Sequence, residues 1–275
     1  MTSMLMQLDL TGRTCVDRAI ARLREFESPE GYWLAFSGGK DSVALKALAD
    51  MAGVRYEAHH NLTTIDPPPL VRFIRRRHPD VAVHAPTGFR NFYEAVEAKG
   101  LPIGKFRWCC EVFKHRGGED RVRLFGLRAA ESRRSGLGRG VVQLCARTGA
   151  RNVNPLWDWS AAEVWSFIRS REVAYCGLYD EGYDRLGCVC CPYAPAAEIV
   201  ENRRRWTWMF ERIRRAVRRR WEAHWRDTET ATRFTGPDAM FEWWLTCRRG
   251  CMPPPGAYWN HQQEGEAPDE ALHRS

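Results

Sequence analysis

A Ser-Gly-Gly-Lys-Asp-Ser run between an apolar segment and an amphipathic one is the part of the sequence best suited to bind an anion. Its residues are Ser37, Gly38, Gly39, Lys40, Asp41 and Ser42. Paired glycines allow a tight turn that brings backbone N–H groups close to a ligand, and a following helix would point its positive end at the same place. Lys40 adds a positive charge, the serines add hydroxyl donors, and Asp41 would cap the helix or hold a Mg²⁺ ion that bridges phosphates. We therefore predict a phosphate-binding loop, though not of the Walker type, whose spacing is absent; the alternative is a strand–helix turn without a ligand.

Five of the ten cysteines lie in two short segments, 109–110 and 188–191. In a reducing compartment, clustered cysteines indicate metal ligands or catalysts rather than disulfides. The vicinal pair and the C-x-x-C spacing can supply four thiolates, which suit a [4Fe–4S] cluster or a tetrahedral Zn²⁺ ion. We predict that one such centre, of either kind, is held by Cys109, Cys110, Cys188 and Cys191. Cys190 is an additional thiol that would substitute as a ligand, accept sulfur or do neither.

A third group of candidate residues lies at the end of a predicted strand over 121–128 and just after it: Gly126, Arg128, Arg133 and Arg134. Ligands of open α/β sheets bind at the carboxyl ends of strands. The first two residues are therefore expected beside the ligand, and the last two beside a second anion. Together with Lys114, the arginines would also offset the negative charge of the thiolates. The alternative is that they are surface residues that pair with Glu131.

The composition is that of a soluble globular protein. The chain has 275 residues, of which 44% are hydrophobic and 28% charged, so collagen-like, mucin-like and wholly disordered classes are excluded. No apolar run approaches the ~18–20 residues needed to span a bilayer. The first residues lack the basic start and apolar core of a secretory signal. We therefore expect a cytoplasmic protein without a membrane partner.

The excess of basic residues is concentrated near the C-terminus. The net charge is +8, and residues 203–226 hold ten arginines against two glutamates, interleaved with tryptophans. Basic and aromatic residues in alternation are typical of surfaces that bind nucleic acid. On this basis the nucleic-acid contacts are predicted at Arg204, Arg205, Arg215 and Arg219. The alternative is a solvated helix whose tryptophans pack on the core.

Strand-like and helix-like segments alternate along most of the chain. Strands are predicted over 31–37, 54–60, 81–86, 121–128 and 141–146, with helices between them, and one long helix over 196–226. This alternation predicts an α/β fold, a doubly wound parallel sheet of Rossmann-like type, with a mostly helical C-terminal region. The predicted organisation is an N-terminal helix (1–28), a nucleotide-binding α/β domain with the cysteines (29–195), a basic helical region (196–250) and an irregular tail (251–275).

Five motifs occur in an order that resembles a known family. They are SGGKDS (37–42), WCCEVFK (108–114), FGLRAAES (125–132), NPLWDWSAAEVWSFI (154–168) and YDEGYDRLGCVCCP (179–192). This collinear set, within about residues 30–225, resembles the phosphoadenosine-phosphosulfate (PAPS) reductase family of the PP-loop, or adenine nucleotide alpha hydrolase, superfamily.

The resemblance implies a five-stranded parallel sheet with an adenine nucleotide at the strand ends. Phosphate or pyrophosphate would bind the 37–42 loop, and Arg128 would hold the neighbouring anion. Thr63, Thr64 and Asp66 would face the nucleotide. The four predicted ligand cysteines resemble the cluster cysteines of adenylylsulfate (APS) reductases.

Two departures from the reductases favour a different reaction. The C-terminal Glu-Cys-Gly-[Leu/Ile]-His motif, which carries their catalytic cysteine, is absent, and Cys247 and Cys251 stand in other contexts. The 37–42 loop is intact, whereas the reductases have a degraded one. The leading hypothesis is therefore an ATP pyrophosphatase that activates an acceptor for sulfur transfer, similar to DNA phosphorothioation and tRNA thiolation enzymes. Lys40 and Asp41 with Mg²⁺ would act on ATP, and Cys190 or the cluster would carry sulfur.

Two alternatives remain at this point. One is an APS or PAPS reductase that gives sulfite with a thioredoxin-like partner. The other is a non-catalytic iron–sulfur protein that binds nucleic acid and uses the nucleotide only as a ligand. For the leading hypothesis, a cysteine desulfurase is a candidate sulfur donor, and the acceptor is open between DNA, tRNA and a small metabolite.

Overall fold

The structure is a computed structural model, and it describes residues 9, 12–103, 107–132, 140–145, 149–226 and 234–246. The chain divides into two compact units. The first comprises Met1–Asn91 and Cys109–Val189, and the second comprises Phe92–Trp108 and Cys190–Ser275. The second unit thus combines the C-terminal part with a short segment from the middle of the sequence. The segment 251–275, expected to be an irregular tail, lies outside the described residues.

The first unit contains a sheet with the strand order β3-β2-β1-β4-β6-β5 in the described part of the chain. The strands are β1 (Tyr32–Ala35), β2 (Tyr56–Asn61), β3 (Ala82–His84), β4 (Val122–Leu124), β5 (Val142–Leu144) and β6 (Arg151–Val153). All neighbouring pairs are parallel except β5 with β6. The predicted α/β fold with a parallel sheet is confirmed. The described part of the sheet has six strands rather than the expected five, because β6 was not predicted, and the predicted strand β5 lies antiparallel at the edge. Because few residues separate β5 from β6, they can pair only as a hairpin.

Helices of the first unit follow from local signals in the sequence. They are α1 (Cys15–Glu25), α2 (Lys40–Ala52), α3 (Pro68–Arg77), α6 (Ala129–Ser132) and α7 (Ala161–Ser170); α5 (Trp108–Phe113) begins at the boundary of the two units. α7 begins with a capping box, in which Ser160 and Glu163 each accept the other's backbone N–H. α2 ends at Gly53, in the left-handed conformation that favours glycine. Both α1 and α7 pack against α2.

The second unit is helical in its described residues. Its helices are α4 (Phe92–Lys99), α8 (Ala196–Arg205), α9 (Thr207–Arg220) and α10 (Pro237–Thr246), with a π-helical turn at Trp221–Trp225. α9 packs against α4 and α10. The prediction of one helix over 196–226 was wrong: it is interrupted at Trp206, whose φ of −122° ends α8 before α9 begins. No described helix of either unit has the length and apolar character needed to cross a membrane.

Candidate nucleotide site

The predicted phosphate-binding loop lies at the point where the strand order of the sheet reverses. From β1 the chain moves outward to β2 and β3, and it then returns to the other side of β1 with β4. In open α/β sheets, the crevice outside the carboxyl ends of two such strands is the usual ligand site. The 37–42 loop follows β1, and residues 126–128 follow β4. The fold therefore brings two of the predicted motifs together within the first unit.

The conformation of the loop depends on glycine at position 38. Gly38 has a φ of +74°, and a Cβ there would lie 2.8 Å from the side chains of Leu70 and Ile74. Ser37 and Ser42 stabilise the turn: their hydroxyl oxygens are 3.1 Å apart, and the Ser42 hydroxyl donates to the Gly39 carbonyl at 2.9 Å. The serines thus have a structural role in the turn, and their contacts with a ligand stay a prediction.

Two buried cations share one carboxylate at the start of α2. Lys40 is 6% exposed and Arg128 is 4% exposed. The Asp41 carboxylate lies with Oδ2 3.1 Å from Nζ of Lys40 and with Oδ1 2.6 Å from Nε of Arg128. These three side chains carry two positive charges and one negative charge. Buried charges require partners, so a phosphate at this place would find two cations held ready for it.

The turn after β4 lies directly against the first turn of α2. A Cβ at Gly126 would be 3.0 Å from the backbone carbon and oxygen of Asp41. This close approach lets the Arg128 side chain reach Asp41. Both oxygens of Asp41 contact cations here, and the lone pairs that these contacts leave are the ones open to Mg²⁺, whose binding stays a prediction.

The three residues after β2 that were expected to face the nucleotide form a buried turn. The Thr63 N–H donates to Oδ2 of Asp66 at 2.8 Å, and both residues are buried. Thr64 has a φ of +63°, a left-handed conformation that its surroundings must hold in place. Contact of these residues with a nucleotide stays a prediction.

This turn connects the crevice side of β2 to one of the predicted ligand cysteines. The thiol of Cys188 donates to Oγ1 of Thr63 at 3.6 Å, and the Val189 N–H donates to the Ile65 carbonyl at 2.8 Å. When Cys188 is ionised, its negative charge raises the pKa of Lys114, and Asp66 and Cys110 act in the same direction. The role of Lys114 as a cation that offsets the charge of the thiolates stays a prediction.

The predicted ligands of the four-cysteine centre fall in both units of the chain. Among the described residues, no group of three or more His, Cys, Asp or Glu side chains is placed to hold a metal ion. Cys109, Cys110 and Cys188 belong to the first unit, whereas Cys190 and Cys191 belong to the second. The thiols themselves are free of disulfides, and Cys190 is only 2% exposed. The metal centre and the sulfur-carrying role of Cys190 remain predictions.

The predicted nucleic-acid residues lie on α8 and α9, where several already have partners within the second unit. Arg204 pairs with Glu201 at 2.7 Å, and Arg219 pairs with Glu97 at 2.9 Å. Arg205 lies over the ring of Trp206 at 5.0 Å, and Arg215 is exposed. Of the four tryptophans in this region, Trp206, Trp221 and Trp225 are buried, and Trp208 is 49% exposed. Nucleic-acid binding by this face stays a prediction.

Several residues named from the sequence lie outside the described residues: Arg133, Arg134, Cys247 and Cys251. One residue of the site was missed. The Lys40 N–H donates to the hydroxyl of Tyr179 at 2.8 Å, and Nζ of Lys40 lies 3.5 Å from the Asp184 carbonyl oxygen. Tyr179 opens the YDEGYDR segment, which contributed to the family resemblance but contains no pattern that predicts contact with the loop.

Comparison with known proteins supports the family resemblance. A sequence-family model described as the phosphoadenosine phosphosulfate reductase domain matches residues 31–194. An uncharacterised protein of Methanocaldococcus jannaschii is 28% identical over 213 residues, which are 70% of this chain and 42% of that protein. The adenosine 5'-phosphosulfate reductase of Allochromatium vinosum is 33% identical over 127 residues, which are 44% of this chain and 46% of that enzyme.

The likeness to solved structures is more distant. The crystal structure of phosphoadenylyl-sulfate reductase from Candida auris is 17% identical, with a TM-score of 0.49, over 66% of this chain and 96% of that one. This chain spans less than half the length of the two curated relatives described above. The sequence match over residues 31–194, more than half of the chain, shows that it belongs to the phosphoadenosine phosphosulfate reductase domain family.

Proposed function

We propose that this chain is a PP-loop enzyme that binds ATP in the crevice between β1 and β4, releases pyrophosphate and so activates an acceptor for sulfur transfer. The observation that carries the proposal is the placement of Lys40 and Arg128, two buried cations, beside an intact SGGKDS loop. A degraded loop would not be expected to keep this arrangement.

The proposed first step is attack of an acceptor oxygen on the α-phosphorus of ATP. The bond from that phosphorus to the bridging oxygen breaks, and pyrophosphate leaves with the electron pair. The amides at the start of α2, with Lys40 and Arg128, would stabilise the charge that develops on the leaving group. When bound, Mg²⁺ would neutralise further phosphate charge, and the Asp41 carboxylate supplies oxygen ligands of the kind that this ion prefers.

The second step would replace the activated oxygen by sulfur. A sulfide-level nucleophile attacks the acceptor atom that is bonded to the AMP oxygen. The bond between that atom and the oxygen breaks, and AMP leaves. The acceptor is proposed only as a class, a nucleic acid or a small metabolite. The sulfur donor is a protein persulfide, such as that of a cysteine desulfurase, and a dithiol reductant supplies the two electrons that bring the terminal sulfur to the sulfide level. A [4Fe–4S] cluster would be held by the four predicted ligand cysteines, but no step is assigned to it.

The test is pyrophosphate release from ATP by anaerobically purified protein, measured with cellular RNA, with DNA and with neither. Lys40→Ala is expected to lower the rate by about 100-fold or more, because it removes a positive charge that would stabilise the negative charge developing on the pyrophosphate leaving group. Lys46→Ala is the matched control, since Lys46 lies on the same helix but pairs with Asp80 at 2.9 Å. An unchanged rate in Lys40→Ala would contradict the proposal.

The second candidate is an APS or PAPS reductase. It is favoured by the sequence relatives of that name and by the position of Lys114 beside Cys110 and Cys188. A thiolate would attack the sulfonyl sulfur, the bond from that sulfur to the phosphate oxygen would break, and the nucleotide would leave. A thioredoxin-like dithiol would then reduce the sulfonated thiol and release sulfite. Sulfite from APS or PAPS, without pyrophosphate from ATP, would establish this candidate and overturn the first.

A further inference from the structure

The hydroxyl of Tyr179 occupies a position where the loop would bind a ligand. We propose that Tyr179 sets the affinity of this site for phosphoryl groups, because a phosphoryl oxygen must displace its hydroxyl from the Lys40 N–H. This inference rests on the anion site of the proposed function. Tyr179 ends a short 3₁₀ turn, Gly177–Tyr179, in the same unit as the loop.

The first observation is the hydrogen bond itself. Lys40 is the first residue of α2, so its N–H has no acceptor within the helix. In phosphate-binding loops, such N–H groups point at the anion. Here the donor is 2.8 Å from the Tyr179 hydroxyl oxygen, a normal and well-formed hydrogen bond. The tyrosine oxygen thus takes the place of one ligand oxygen.

The second observation is the space above the glycine pair. A Cβ built on Gly39 would lie 3.4 Å from the Tyr179 hydroxyl oxygen. The absence of a side chain at position 39 leaves room for a ligand to approach the backbone. The Tyr179 hydroxyl lies against that same space, so a ligand that enters it must compete with the hydroxyl.

The third observation is that Lys40 contacts this segment with its side chain as well. Its Nζ lies 5.9 Å from the centre of the Tyr179 ring and 3.5 Å from the Asp184 carbonyl oxygen. Both ends of Lys40 therefore contact the segment 179–184. A ligand that draws Lys40 Nζ toward its phosphates would loosen these contacts together.

An aromatic cluster holds the tyrosine ring in place. Trp165 on α7 packs edge to face with Tyr179 at 5.0 Å and with Tyr175 at 5.2 Å. The Tyr175 hydroxyl donates to Asp180 rather than to the loop. Tyr175 is thus a tyrosine of the same cluster that makes no contact of this kind with Lys40.

The competition favours phosphoryl groups over neutral ligands. A hydrogen bond to a charged oxygen is roughly twice as strong as one to a neutral oxygen, so a phosphoryl oxygen can displace the hydroxyl whereas a neutral acceptor gains little. Removing the hydroxyl removes one neutral competitor. We expect Tyr179→Phe to bind pyrophosphate about 2- to 10-fold more tightly than the natural protein.

The test is titration calorimetry of the full chain with inorganic pyrophosphate and Mg²⁺, with adenosine as a ligand that lacks phosphate. The three proteins compared are the natural chain, Tyr179→Phe and Tyr175→Phe. Tighter pyrophosphate binding by Tyr179→Phe, with no change for Tyr175→Phe and none for adenosine, is the expected result. If only Tyr179→Phe binds pyrophosphate detectably and the other two proteins do not, the result supports the same competition more strongly.

Other results overturn one of the two proposals, and they are distinguishable. Weaker binding by Tyr179→Phe would show that the hydroxyl contacts the ligand, and equal binding would show that it does not compete; either result overturns the role of Tyr179 and leaves the proposed function standing. Mg²⁺-ATP is titrated into the same three proteins, and if none of them binds pyrophosphate or ATP, the anion site is wrong and the proposed function fails with it. A folded state for each variant is verified by its melting temperature.

Discussion

The carboxylate of Asp41 accepts a 2.6 Å hydrogen bond from Nε of Arg128, and this contact joins the loop after β1 to the turn after β4. The two residues are 87 positions apart in the sequence. Because Asp41 also accepts from Lys40, one carboxylate keeps both cations at the crevice. A phosphate that binds there offers new acceptors to both. The Asp41 carboxylate therefore holds both cations where a phosphate would bind.

Replacement of Arg128 should weaken anion binding more than it weakens the fold. Arg128→Met is expected to lower the affinity for Mg²⁺-pyrophosphate by about 10- to 100-fold, the loss of one charge-assisted hydrogen bond. Arg128→Lys keeps the charge but loses the planar fork, so it should restore only part of the affinity. Titration calorimetry measures both.

A matched control for Arg128 is available on the same strand connection. Arg121 lies immediately before β4 and pairs with Glu57, away from the loop. Arg121→Met should leave pyrophosphate affinity unchanged. Equal losses in Arg121→Met and Arg128→Met would show that the effect comes from general electrostatics and not from the crevice.

Glycine at position 38 should be required for both the loop and its ligand. Gly38→Ala would place a methyl group in a left-handed conformation and 2.8 Å from Ile74. Gly53→Ala introduces the same backbone strain, with a φ of +69°, into open space at the end of α2. Chemical denaturation should show Gly38→Ala less stable than Gly53→Ala by about 1–3 kcal/mol, the usual cost of overpacking. Similar stabilities, with pyrophosphate binding intact in both, would contradict this account.

The local elements around the site could be predicted because their signals are contained in short stretches of sequence. The capping box of Ser160 and Glu163 marks the start of α7, and Gly53 marks the end of α2. The apolar run before Ser37 predicts a buried strand. The meeting of the loop with residues 126–128 could also be expected, because the carboxyl ends of adjacent parallel strands share one edge.

The features that were missed depend on contacts between distant parts of the chain. β6 is short and contains Arg151 and Asn152, so its sequence has no strand-like apolar pattern, and it forms by pairing with β4 and β5. Tyr179 reaches Lys40 across 139 positions of sequence. Trp206, at the break between α8 and α9, is buried in the second unit. Helical propensity alone favours an uninterrupted helix here, so the break depends on packing, which a local pattern does not contain.

The proposed cysteine centre predicts a loss of iron on replacement of one ligand. Cys110→Ser, purified without oxygen, should lose bound iron, visible absorption and part of its thermal stability, because removal of one of four thiolate ligands weakens both the binding of the cluster and its contribution to folding. Cys145→Ser is the control, since Cys145 belongs to neither cysteine segment. Iron and zinc are measured together by elemental analysis. Full metal content and an unchanged melting temperature in Cys110→Ser would exclude Cys110 as a ligand.

A half-buried histidine on β2, His59, should make the fold sensitive to mild acid. The His59 ring stacks on Trp33 at 3.4 Å, and its Nδ1 lies 2.9 Å from Nε2 of His84. Burial, and then the neighbouring charge of His84, lower the pKa of His59 from 6.5 to about 4. The unfolded chain therefore binds this proton at a higher pH than the folded chain does. The contribution is fully present above about pH 6.5 and is lost as the pH falls toward 4.

The variant that tests this is His59→Phe, which keeps an aromatic ring against Trp33 but cannot be protonated. A pKa lowered by this amount corresponds to about 3 kcal/mol over the full range, and most of it is lost by about pH 4.5. The free energy of unfolding, measured by denaturant at pH 7 and 4.5, should therefore fall about 2–3 kcal/mol less in the variant than in the natural chain. Titrating groups that do not interact with His59, such as His78, contribute equally to both proteins. An equal fall in both would show that His59 does not carry the acid sensitivity.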